Sequence, residues 1–171
     1  MKRKSNRAFF RYLFFGLEIL LMWVLQSTPK LMPEILGSRP FLLLAAALSF
    51  AACSKAAPAV ILGAVCGALS DISANGTIGY FSVAFTLVCY ASAMLLDTYL
   101  NRNALTSAVL AFGSIAAVLL LYFLFFRVFA GVPDCGALFV RHYLSRIGYT
   151  TLTFFPLYFL NRFLADKFKS R

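Results

Sequence analysis

Few side chains in this sequence can do chemistry, and their spacing keeps them apart. His142 is the single histidine, which excludes histidine relays and His-rich metal clusters; as a base it has only Asp134 near it in sequence. Cys53, Cys66 and Cys89 fall inside apolar runs and Cys135 stands alone, with no CxxC spacing for zinc or a redox pair. The signatures of serine hydrolases, phosphate loops, zinc proteases and dinucleotide folds are missing. The expectation is a chain that is not an enzyme and carries no metal or cofactor. Glu18 is the acid that stands out, because it sits at the centre of an apolar run, seven residues after Arg11. An intramembrane carboxylate is expensive and marks either a ligand or ion site or a polar partner on another helix. Gln26, Asn161 and Arg162 are the partners in reach of a structural pair. Asp97 and Arg102 stand at a helix end, where solvated pairing accounts for them.

The most informative spacing is Gly63-Ala-Val-Cys-Gly67-Ala-Leu-Ser-Asp71, followed by Gly76-Thr-Ile-Gly79-Tyr80. Gly63 and Gly67 fall on one helix face, where small residues let two backbones approach closely in lipid. Asp71 continues that row one turn on and ends the helix. Its carboxylate has three open roles: capping the next helix, accepting N–H groups of the turn, or meeting a partner. Gly63, Gly67, Asp71, Gly76 and Gly79 are therefore the expected helix-packing or partner-contact residues.

These residues need helices to hold them, and the composition says where those helices lie. Of 171 residues, 61% are hydrophobic and 13% charged, against about 45–50% and about 25% in soluble domains. So few charges cannot cover a soluble surface, and the mean hydropathy of +0.83 agrees. The expected class is an all-α integral membrane protein forming one polytopic domain over residues 1–171. The apolar runs place spans near 9–27, 41–53, 57–70, 79–96, 104–126 and 149–164. The stretch from Pro40 to Ile72 would make a helix of roughly 50 Å, longer than the roughly 30 Å of a bilayer core. Ser54, Lys55 and Pro58 interrupt it, giving two short helices that turn at Lys55, either as full spans or as a re-entrant pair. In 136–148, Val140, Tyr143, Leu144 and Ile147 recur at helical spacing opposite Arg141, Ser145 and Arg146. That pattern fits an amphipathic helix at the interface or a lead-in turn of the last span.

The net charge of +10 sits at the ends of the apolar runs, where it reads as topology and contact with anionic lipids, not nucleic acid. Six spans put Lys2, Arg3, Lys4, Arg7, Arg11, Lys55, Arg102, Arg162, Lys167, Lys169 and Arg171 on one side. Lys30, Arg39, Arg127, Arg141 and Arg146 fall on the other. The positive-inside rule makes the richer side cytoplasmic, with both termini there.

The row Gly63-xxx-Gly67-xxx-Asp71, with Ile78-Gly79-Tyr80 after a short turn, resembles the rod shape-determining protein MreD family. The closing Tyr149-Thr-Thr-Leu-Thr-Phe-Phe-Pro156-Leu-Tyr-Phe-Leu-Asn-Arg162 is similar to that family's last span. The resemblance covers almost the whole chain, although the first span carries no family mark. It implies a compact bundle of about six transmembrane helices, two of them short, like the substrate-binding subunits of energy-coupling-factor transporters. It also implies a non-enzymatic scaffold of the bacterial elongation complex, helping control cell shape and lateral peptidoglycan synthesis in the cell membrane. The implied partners are an MreC-like single-span protein and, more widely, MreB, RodA and a penicillin-binding protein. The alternative is a vitamin-capturing subunit of an energy-coupling-factor transporter, with Asp71, Asn75, Arg141 and His142 available to line a pocket. Against it, Phe14-Phe-Gly-Leu-Glu-Ile-Leu-Leu-Met-Trp23 lacks the Ala-xxx-Ala docking face typical of those subunits.

Overall fold

A computed structural model describes residues 2–28, 39–73, 79–100, 102–129, 136 and 139–168. Among these residues the chain is helical, with no strand. The helices are α1 (Lys2–Ser27), α2 (Leu42–Cys53), α3 (Ala56–Ser73), α4 (Tyr80–Thr98), α5 (Ala104–Phe123) and α6 (Ser145–Phe168). A π-helical turn, Leu124–Val128, extends α5, and a second, Phe139–Leu144, leads directly into α6. Residues 139–144 are thus a continuous lead-in to the last helix, with Tyr143 buried there and Ile147 buried in the first turn of α6. Gly76 lies outside the described residues.

Ala56–Ser73, Tyr80–Thr98 and Ala104–Val128 are long and apolar enough to cross a membrane, and Leu13–Ser27 and Leu42–Cys53 are shorter apolar helices. The outside of the bundle carries many large apolar side chains. Leu17, Ile61, Val83, Leu87, Val109, Leu152 and Phe159 all stand exposed on the outer helices. Soluble monomers rarely expose contiguous apolar patches beyond a few hundred Å², so this surface suits lipid. The inward faces repeat at helical spacing: Phe15 and Ile19 on α1, and Phe81, Phe85, Cys89 and Leu96 on α4.

The centre of the bundle is α2. Every residue from Leu42 to Ala52 is buried, and α2 touches each of the other five helices. Its sequence, LLLAAALSFAAC, has no polar face, and a helix apolar all round must be surrounded. Ser54, Lys55 and the nearby Pro58 end it and start α3. Twelve residues span only about 18 Å, so the ends of α2 lie within the bundle. There the unpaired N–H and C=O groups of a helix terminus need partners. At the N-terminus, Leu43 N donates to Gln26 Oε1 at 3.1 Å and Phe41 N to Thr150 Oγ1 at 3.0 Å. At the C-terminus, Arg102 donates to the carbonyls of Ala52 at 3.0 Å and Ser54 at 2.8 Å, while pairing with Asp97. Side chains of α1, α6 and the α4–α5 connection therefore complete the hydrogen bonding of α2.

That cap makes Arg102 more than the solvated partner of Asp97. Arg102→Met should destabilise the protein by about 1–2 kcal/mol, the charge partner being partly exposed and screened. Arg102→Lys should recover only part of this, because one ammonium cannot hold the forked geometry. Thermal melting in detergent measures it; a wild-type midpoint for Arg102→Met would remove the cap from this account.

Candidate functional site

The Gly63–Gly67–Asp71 row lies on the face of α3 that packs against α4, the most extensive helix–helix contact among the described residues. A Cβ built on Gly63 would lie 3.0 Å from both Phe85 O and Cys89 Cβ. One on Gly67 would lie 2.5 Å from Phe81 O and from Ser82 Cα, closer than real Cβ atoms come. Two backbones approach here without side chains between them, which is the use of small residues in membrane helices.

One turn further, Asp71 does the capping. Its Oδ1 accepts from Phe81 N at 3.0 Å and its Oδ2 from Ser82 N at 2.9 Å. Both oxygens thus hold the first turn of α4, where the helix dipole favours a negative charge. Gly79 immediately precedes that turn with φ +88°, the left-handed region that glycine enters without a Cβ penalty. Tyr80 then packs against Tyr122 and Phe126 and donates its hydroxyl to Val118 O at 3.0 Å, tying α4 to α5. Of the three roles open to Asp71, the geometry realises the cap, and the row is occupied within this chain.

Glu18 meets Asn161, the pairing named among its candidates. Asn161, fully buried, donates from Nδ2 to Glu18 Oε1 at 3.0 Å and to Ser49 Oγ at 2.7 Å. The Ser49 hydroxyl in turn donates a hydrogen bond to Ala46 O at 2.8 Å. This chain of bonds stitches α1, α2 and α6 at mid-bundle. The space beside Glu18, walled by Phe15, Ala46, Phe50 and Leu62, measures about 10 Å³, room for at most one water. That is too small for an organic ligand.

A real cavity opens at the end of the bundle where α1 finishes and α2 begins. It holds about 520 Å³ and is walled by Trp23, Phe41, Phe81 and Tyr122, with Gln26 and Arg146 supplying polar groups. Ser27, Ser70 and Ser73 add hydroxyls, and Arg39 stands on its wall. Trp23 Nε1 donates to Ser73 Oγ at 3.0 Å, and the Ser27 and Ser73 hydroxyls lie 3.5 Å apart. The Arg146 guanidinium lies over the Phe41 ring, 4.7 Å from its centroid. Burial lowers the Arg146 pKa from its ordinary value, with Tyr143 and Tyr122 acting the other way.

Asp71, Asn75, Arg141 and His142 were the residues available to line a pocket. The structure corrects this for Asp71, which is turned onto α4, and His142 is not among the cavity's described wall residues. Asn75 and the Arg141 side chain lie outside what is described. Arg146 and Tyr122 line it instead. The sequence signal for Arg146 was its place opposite the apolar stripe of 136–148, which marks a polar residue without saying what it faces. Comparison with protein-family models, curated proteins and solved structures finds no match.

Proposed function

We propose that this chain is a non-enzymatic, multi-pass scaffold subunit of a bacterial cell membrane, of the kind the MreD family contributes to lateral wall synthesis. The observation that supports it is the α3–α4 unit. The glycine row and the acid that carry the family resemblance form one interlocked hairpin, so the motif is a structural device and not a reaction centre. Two further acids are likewise engaged in holding helices together: Glu18 with Asn161, and Asp97 with Arg102. In this reading six passes place both termini in the cytoplasm, in line with the basic residues. The rigid hairpin supports an outer surface on which an MreC-like single-span protein docks, and through it the chain joins MreB, RodA and a penicillin-binding protein.

A second reading, capture of a small molecule for a transporter, draws on one observation. The 520 Å³ cavity falls in the range of ligand pockets, about 300–1,000 Å³. Depletion in the native bacterium separates the two. The scaffold predicts rounded, widened cells in a rod-shaped host and co-purification with the single-span partner. Unchanged shape with loss of uptake of one vitamin would move the assignment to the transporter subunit.

A further inference from the structure

The cavity at the end of the bundle has on its wall a charge, that of Arg146, that none of the described wall residues balances. The Nε of Arg146 is screened from solvent and has no hydrogen-bond partner. Among the described residues, no carboxylate stands on the cavity wall. The side chain as a whole is half-buried, and a charge so placed without a counter-ion is costly unless something compensates it. Stacking on Phe41 compensates only in part, because a ring face leaves the charge without an anionic partner. The cavity wall also carries the Gln26 amide and the Ser27 hydroxyl, while the Ser73 hydroxyl gives its proton to Leu69 O at 3.1 Å. A tetrahedral phosphate, whose non-bridging oxygens point in different directions, meets such a set better than a flat carboxylate does.

We propose that this cavity binds a phosphate ester whose apolar or aromatic body lies against Phe41, Phe81 and Tyr122, with Arg146 as the counter-ion of the phosphate. Two sources supply that chemistry at a membrane surface: the headgroup of an anionic phospholipid, or a soluble phosphate ester. The site stands apart from the scaffold reading, since binding is measured on the purified chain and cell shape is measured in the bacterium.

The test uses the full-length protein in neutral detergent, with phosphatidylglycerol, phosphatidylcholine and phenyl phosphate as probes. Phosphatidylglycerol or phenyl phosphate should raise the thermal midpoint of the wild type, and phosphatidylcholine should not. Arg146→Gln should weaken that binding by about tenfold or more, the loss expected for one charge-assisted partner. Modification of Arg146 by phenylglyoxal, mapped by peptide mass spectrometry on wild-type protein, gives the same information even where the variant fails to fold. The bound phosphate should slow it several-fold. Protection by phosphatidylglycerol alone assigns the lipid headgroup, and protection by phenyl phosphate assigns a soluble ligand. Equal binding by wild type and Arg146→Gln, or an unchanged modification rate with both anions, overturns the proposal.

Discussion

Gly67→Ala should be the most damaging single-methyl change in this protein. The added carbon would lie 2.5 Å from Phe81 O and from Ser82 Cα, so it meets backbone and not a side chain that can swing away. Relief requires α3 and α4 to separate, and separation pulls Asp71 from the amides of those same two residues. Overpacking costs about 1–3 kcal/mol where side chains can adjust, and the upper end is expected here. For a chain of this size that is a fall of roughly 6–12 °C in thermal midpoint. Other glycines grade the effect. Gly63→Ala, with contacts at 3.0 Å, should lose less. Gly113→Ala meets nothing within 4 Å inside α5 and should gain about 0.5–1 kcal/mol from the reduced freedom of the unfolded chain. Melting curves of the three variants in one detergent give the order. Equal midpoints for Gly67→Ala and Gly113→Ala would mean the two backbones are not in contact.

Asp71→Ala should remove two charge-assisted hydrogen bonds at once and destabilise the protein by about 2–4 kcal/mol. Asp71→Asn should be nearly as harmful. The carboxylate uses both oxygens as acceptors, one for Phe81 N and one for Ser82 N, whereas an amide offers one acceptor and turns its NH₂ against the other N–H. Shape alone therefore does not rescue the cap. Hydrogen exchange distinguishes this from a general loosening, since the amides of Phe81 and Ser82 should exchange faster in both variants while mid-α5 amides keep their protection. Unaltered exchange at those two positions would sink the assignment.

The parts of this molecule legible in the sequence are those set by neighbours along the chain. Ser54 and Lys55 interrupt an apolar stretch, and α2 gives way to α3 there. The glycine row at every fourth residue marks one face of α3, and an acid four residues on marks its end. Which helix that face meets is not local information. Nor could the alternation of apolar residues rank α2 as the central element, because a helix apolar all round looks the same whether lipid or protein surrounds it. The caps of α2 come from Gln26, Arg102 and Thr150, three residues scattered across the chain that are each unremarkable alone. Glu18 invited several partners, and choosing Asn161 needed α1 and α6 side by side. The cavity was least legible, since Trp23, Phe41, Tyr122 and Arg146 come from four separate stretches.

The burial of α2 also bears on the order in which the protein can be made. Synthesis delivers α2 early and α6 last, yet α6 supplies Thr150 to the start of α2 and Asn161 to its middle, across 109 and 112 residues of chain. Until the last helix leaves the ribosome, α2 is a 12-residue segment too short to hold itself across a bilayer and open along one side. Contacts so distant in sequence form late and slowly. Helix α6 is therefore a closing piece of the bundle, and a nascent chain that ends before Ser145 leaves α2 walled by α1, α3, α4 and α5 but open on the side that α6 covers.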